Sequence, residues 1–256
     1  MTKTERMRYA RAILLAQDKI ALVFFRKIRA ELKRVGKELG ESYALNQTSL
    51  QFPDLQQKHK ERVIKILNDL VFATVKVFMN DKVGQKRMFT LDVANEVYAL
   101  LAANVLTTSA LISQNTVASA TVVILKQMKL SRTKPKAAEP ENIAKKIAKK
   151  IGGVNAISRA MTIARTETHK AANTTQYTKA EWAAQESGLK VEVEWIATND
   201  GRRVRDDHRH ADWQKRPIGQ PFNVGGEAMR YPSDPRASAS NTINCRCVLG
   251  YDTIDE

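Results

Sequence analysis

Between Glu5 and Val35 the apolar residues Ala10, Ile13, Leu14, Ile20, Ala21, Phe24, Phe25, Ile28 and Leu32 return at steps of three and four, which puts them on one face of a long helix. The pattern predicts a stop near Gly36 or Gly40 and a break over Glu41–Asp54, which is aperiodic and carries Pro53. The helical period returns over Glu61–Met79 through Val63, Ile64, Leu67, Leu70, Val71, Thr74 and Phe78, then breaks at Asp81–Arg87 with Gly84. It resumes from Asp92 to about Leu130, with Ser113–Thr116 as a candidate interruption. An up-and-down layer of three or four helices is expected. Ser131–Pro140 holds two prolines and no large apolar residue, so it reads as a linker.

Glu141–Ile151 sets Ile143, Ile147 and Ile151 on one stripe and Lys145, Lys146, Lys149 and Lys150 on the other, a short basic amphipathic helix. Such a stripe most often packs on its own domain; the alternatives are a helix that follows phosphates or lies on a membrane surface. Asn155 is expected to cap a helix that runs to Ser187 and ends at Gly188. The period then changes to two. Lys190–Ala197 alternates Val191, Val193 and Trp195 with charged residues, the pattern of a half-buried strand, and Asn199-Asp200-Gly201 is a turn signal. The fold class is therefore α+β: a mainly α-helical N-terminal half followed by a small α+β C-terminal domain. Its expected divisions are a helical, basic region at 1–130, a linker at 131–141 and the α+β domain at 142–256.

Composition narrows the class. In 256 residues, 11 glycines and 7 prolines leave few sharp turns, which favours long helices. Two cysteines cannot build a disulfide framework, and the charged start Met1–Arg8 lacks a signal-peptide pattern, so a reducing cytoplasm is the expected setting. The most apolar stretch, Val93–Leu111, carries Asn95, Glu96 and Asn104, which argues against a membrane span. Charge is uneven: residues 1–150 hold 28 lysines and arginines against 13 acidic residues, whereas 151–256 hold 14 of each. Such an excess attracts polyanions, and each lysine or arginine that neutralises a phosphate releases counterions. The plainer account is that lysines solvate long helices. Lys134, Lys136, Lys145, Lys146, Lys149 and Lys150 are the candidate nucleic-acid contacts, and the absence of a recognition motif predicts non-specific binding.

Chemistry-bearing residues crowd between Asp200 and Cys247. His208, His210, Cys245 and Cys247 form a possible zinc set by residue type, but a Cys-x-Cys pair on a strand strains a common tetrahedron. The favoured reading has no metal: small buried cysteines and a His208 hydrogen-bonded to an aspartate. Asp206, Asp207, His208, His210 and Asp212 resemble a metal-dependent nuclease's stock of ligands, yet no HNH pattern or Gly-rich phosphate loop completes it. Arg165-Thr166-Glu167 is reminiscent of an Arg-Ser-Glu element of ADP-ribosyltransferases without the rest of that set. No catalytic residue and no cofactor are expected; a metal-dependent nuclease and a general DNA-binding module stand as alternatives.

Asp200-Gly201-Arg202, Val204-Arg205-Asp206, His208, Phe222 after a proline, Tyr231-Pro232-Ser233-Asp234-Pro235 and Asn244-Cys245-Arg246-Cys247 resemble the Mu F-like minor head protein family of tailed bacteriophages. Ala164-Arg165-Thr166-Glu167 resembles the start of the same domain, so the resemblance covers about residues 142–256. Asp200, Arg205, Asp206, His208, Pro232, Asp234, Asn244, Cys245 and Cys247 are its structural signature. The family often has glycine five residues after the histidine, where Trp213 stands, and Pro-Gly-Asp where this chain has Pro232-Ser233-Asp234; the turns around His208 are expected to differ accordingly.

The resemblance implies a minor virion component inside the head, found in the host cytoplasm during assembly, that acts in head assembly or DNA ejection. Its implied partners are the portal protein, the scaffolding or major capsid protein, and double-stranded DNA bound non-specifically, with no membrane. Some members deliver toxins or enzymes on an extra C-terminal domain; none is expected in the nine residues after Cys247.

Overall fold

The computed structural model describes residues 2–46, 50, 52–79, 91–198 and 204–254. Its helices are α1 (Lys3–Asn46), α2 (Pro53–Met79), α3 (Leu91–Leu130), α4 (Pro140–Gly152) and α5 (Val154–Ser187), with a 3-10 turn at Pro135–Ala138. There follow β1 (Lys190–Ile196), α6 (Asp206–Ala211), β2 (Lys215–Pro217), β3 (Phe222–Val224), β4 (Glu227–Met229), α7 (Ala239–Thr242) and β5 (Val248–Ile254). The class is α+β, as the periodicities predict. The break at Asp81–Arg87 and the turn at Asn199–Gly201 lie outside the described residues.

These elements form two compact units, each assembled from separated stretches of chain. One contains Met1–Ala21, Leu70–Ala102 and Arg165–Glu256; the other contains Leu22–Asp69 and Ala103–Ala164. This division differs from one at 131–141, because segments far apart in sequence share cores. The stretch expected as a linker holds the 3-10 turn and the start of α4, and Asn142 Nδ2 donates to Lys136 O at 2.9 Å.

In the second unit α1 does not stop at Gly36 or Gly40. A Cβ on Gly40 would sit 2.7 Å from the Ala144 carbonyl oxygen, and one on Gly152 would sit 2.8 Å from Lys33 Cα. These glycines are where the α1 and α4 backbones touch, and packing overrides their low helix propensity. Ile143, Ile147 and Ile151 consequently fill a core with Val35, Leu39, Tyr43, Phe52, Val117 and Ile124. Gly40→Ala should therefore destabilise the protein by about 1–3 kcal/mol despite the better helix former, because the contact is with backbone that cannot step aside. A thermal midpoint equal to or above that of the parent would refute the close approach.

Pro53 begins α2 rather than breaking the chain, since a first-turn proline lacks only an N–H that would have no helical partner, and Asp54 suits the positive end of the helix. Helix α3 runs through Ser113–Thr116 unbroken. Thr116 Oγ1 donates to Ile112 O and Ser113 Oγ to Gln56 O, both at 2.6 Å, so the hydroxyls are satisfied inside the unit. Asn155 lies within the first turn of α5 instead of capping it. Among the described residues, α3 is the helix long and apolar enough to cross a membrane, and a third of its most apolar window is buried.

In the first unit β1 lies between β2 and β5, antiparallel to both, with Trp195 opposite Leu249. β3 and β4 form a separate hairpin. Trp195 is buried among Tyr177 of α5, Phe222, Met229, Tyr231 and Leu249. β1 is not half-exposed along its length: from Val193 to Ile196 both faces are covered. Ile196 packs with Ala10, Ile13, Phe78, Ala172 and Val248, and Glu194 meets Arg6.

Candidate functional site

Helix α5 braces the loops of the first unit from one side. Thr166 Oγ1 accepts the Asn244 N–H at 3.1 Å, and Asn173 Nδ2 donates to Pro232 O at 3.0 Å and Cys247 O at 3.4 Å. Tyr177 Oη accepts the Gly219 N–H at 2.8 Å. Arg165 faces Asp18 at 3.7 Å, and the buried Glu167 pairs with Lys170 at 3.0 Å. The Ala164–Glu167 segment thus supports the loop that carries Asn244–Cys247.

The centre of the site is His208, on the inner face of α6 and 1 % exposed. Its Nδ1 lies 3.3 Å from Cys247 Sγ and 3.6 Å from Cys245 Sγ, and its Nε2 lies 3.3 Å from Asn241 Oδ1. Asn241 Nδ2 donates to Val224 O at 3.2 Å, which turns the amide oxygen toward the ring. Nε2 therefore carries the proton, and the lone pair of Nδ1 faces both sulfurs. The expected aspartate partner is replaced by this asparagine. A hydrogen bond between the thiols draws Cys245 well below the ordinary range, and that bond together with burial pushes Cys247 well above it.

Asp234 anchors the second signature loop. Fully buried, it accepts the backbone N–H groups of Arg230 at 3.0 Å and Arg236 at 3.1 Å and forms an ion pair with the Arg236 guanidinium at 2.6 Å. Burial raises its pKa, but these donors outweigh burial and hold the carboxyl below the usual range. Both departures from the family's glycines fall on left-handed backbone, Trp213 at φ 69° and Ser233 at φ 61°. Ser233 Oγ is also buried without a hydrogen-bond partner. Ser233→Gly should thus remove strain and an unsatisfied hydroxyl together, and stabilise the protein by about 1 kcal/mol after the entropic cost of glycine. A lower thermal midpoint would refute that account.

The remaining expected residues disperse. Asp206 is exposed and pairs with Arg209, Asp207 and His210 are exposed, and Arg205 bonds the Ile243 carbonyl. Asn244 contributes its backbone, at φ 55°, while its side chain is exposed. Asp212 is drawn to Arg6, so the carboxylates and histidines of Asp206–Asp212 do not converge on one point. His210 does not join the cysteines; among the described residues the potential metal ligands that converge are His208, Cys245 and Cys247. Asp200 lies outside the described residues.

Four residues here escaped sequence reasoning. Arg6, 2 % exposed, reaches Glu194 and Asp212 at 2.5 Å each and the Trp195 carbonyl at 2.7 Å, with its guanidinium 3.7 Å over the Trp213 ring. Asn173 and Asn241 position the loops. His169 is buried with neither ring nitrogen hydrogen-bonded, and burial lowers its pKa to about 4. No local pattern marks any of them, because their partners come from distant segments.

Residues 136–250 match the family described as Phage Mu protein F like protein. No curated protein and no solved structure matches the chain. The match spans α4, the bracing helix α5 and both signature loops, and this C-terminal part of the chain is Mu F-like.

Proposed function

We propose that this virion-associated protein is a minor head component that docks on the portal through residues 1–130 and contacts packaged double-stranded DNA non-specifically inside the head. Scaffolding or major capsid protein is a further candidate partner during assembly, and the role is structural rather than catalytic. The observation that carries the DNA part is the division of α4. Its isoleucines are buried, while Lys145, Lys146, Lys149 and Lys150 are exposed, as are Lys134 and Lys136 beside it. Among the described residues Lys145, Lys149 and Lys150 meet no carboxylate, and Lys146 bonds Gln127. Helix packing and phosphate contact are thus compatible, because they use opposite faces. Docking is supported by the large apolar side chains that α3 leaves in solvent, among them Leu100, Leu106, Leu111, Val122 and Leu125.

In a salt titration on duplex DNA, log affinity should fall linearly with log salt, with a slope of about −0.9 per phosphate contacted. Replacing the four α4 lysines with glutamine should flatten that slope. An unchanged slope, strong preference for one sequence, or no binding at low salt would overturn the DNA reading. The full chain should co-migrate with its portal and enter procapsids, and charged substitutions at Leu111 and Leu125, which share one face of α3, should abolish both; retention of both would overturn docking through this face. The length and apolarity of α3 favour a lipid bilayer as the second reading, which flotation of the full chain with liposomes would reveal.

A further inference from the structure

We infer that His208 Nδ1, Cys245 Sγ and Cys247 Sγ hold a zinc ion that ties α6 to the segment entering β5. Bond lengths of about 2.0–2.1 Å to nitrogen and 2.3 Å to sulfur give a zinc tetrahedron an N···S edge of about 3.6 Å. The two edges present here are 3.3 and 3.6 Å. All three donor atoms lie within 4.8 Å of one another, and each residue is at most 2 % exposed.

The surroundings match a metal site as well as the ligands do. A ligating histidine normally donates its second ring N–H to an acceptor that fixes tautomer and orientation. Asn241 Oδ1 fills that place, itself held by Val224 O. The indole N–H of Trp195 is buried without a hydrogen-bond partner, and its ring stands edge-on to His208 with centroids 5.8 Å apart. The strain expected of a Cys-x-Cys pair on a strand does not arise, because Cys245–Cys247 precedes β5 and follows the left-handed Asn244. Arg246 points away to Asp18, with both contacts at 3.1 Å, so the sulfurs on either side share one direction.

Two thiolates and one imidazole select zinc over harder cations, and binding releases the thiol protons. The three side chains supply three of the tetrahedron's four corners. The same three groups with Asn241 also resemble a Cys-His-Asn nucleophile, but at this depth no acyl substrate reaches the sulfur, whereas a metal can enter as the loops close during folding.

The test uses the full chain purified without a histidine tag. Elemental analysis should find about one zinc per chain, and the cobalt-substituted protein should show the ligand-field bands of tetrahedral cobalt with a thiolate-to-cobalt charge-transfer band. Chelation should lower the thermal midpoint. His208→Ala and Cys247→Ser should lose the metal, whereas His210→Ala should keep it. If the first two variants fail to fold, the cobalt spectrum of the parent protein decides. No bound zinc after exposure to zinc under reducing conditions, octahedral cobalt without thiolate charge transfer, or a mass two hydrogens lighter from a Cys245–Cys247 disulfide in the isolated protein would each overturn the assignment.

Discussion

Replacing Arg6 with alanine is expected to cost about 3–5 kcal/mol, the range for removing one partner of a buried ion pair. The guanidinium is shared between Glu194 and Asp212, and it also donates to the Trp195 carbonyl. Without it, Glu194, itself 6 % exposed, keeps a charge away from water with no cation against it. The loss falls on β1, the central strand of the sheet, and on Trp213, whose left-handed backbone is held in part by its ring lying under Arg6. Urea unfolding of Arg6→Ala measures the loss directly. Arg6→Met combined with Glu194→Met should recover much of it, because the buried charge goes with its partner. A loss below about 1 kcal/mol in Arg6→Ala would show that the pair is solvated rather than buried.

Acidification should destabilise the protein by about 3 kcal/mol between pH 6.5 and pH 4 through His169 alone. Burial is the main cause of its depressed pKa of about 4; Cys245 and Asp18 oppose that depression, while Arg246 and Arg165 reinforce it. In the unfolded chain the imidazole takes a proton near pH 6.5. Between the two values the unfolded state binds the extra proton, so stability is complete above pH 6.5, falls as pH drops toward 4, and changes no further on this account below that. Chemical denaturation of the parent protein and His169→Leu across this range should show a steep dependence in the first and a shallower one in the second. Equal slopes would place His169 in contact with solvent. Asp18 and Asp234 act in a lower window. Both are held below the ordinary carboxylate range by arginine partners that outweigh burial, so their contribution is present above about pH 4 and lost as pH falls through their folded values.

Local pattern carried much of this protein. The apolar steps of α1 and the isoleucine stripe of α4 each state which face is buried, and the alternation of β1 states that it is a strand though not that both its faces are covered, because the period of an isolated element is a property of its own residues. The charge excess and the spaced signature from Asp200 to Cys247 are likewise sequence properties, and the signature is what resembles the family that residues 136–250 match. Tertiary structure decided what the same letters mean in contact. Gly36 and Gly40 end a helix by propensity, yet here they admit α4, since propensity near 1 kcal/mol yields to a close helix crossing. Arg6 lies in a charged start that no local pattern distinguishes, and it is a buried hub. His208 and His210 are equivalent as letters, but a six-residue helix turns one toward the cysteines and the other to water. Such outcomes depend on partners between about 30 and 200 positions away, and no window along the chain contains both members of the pair.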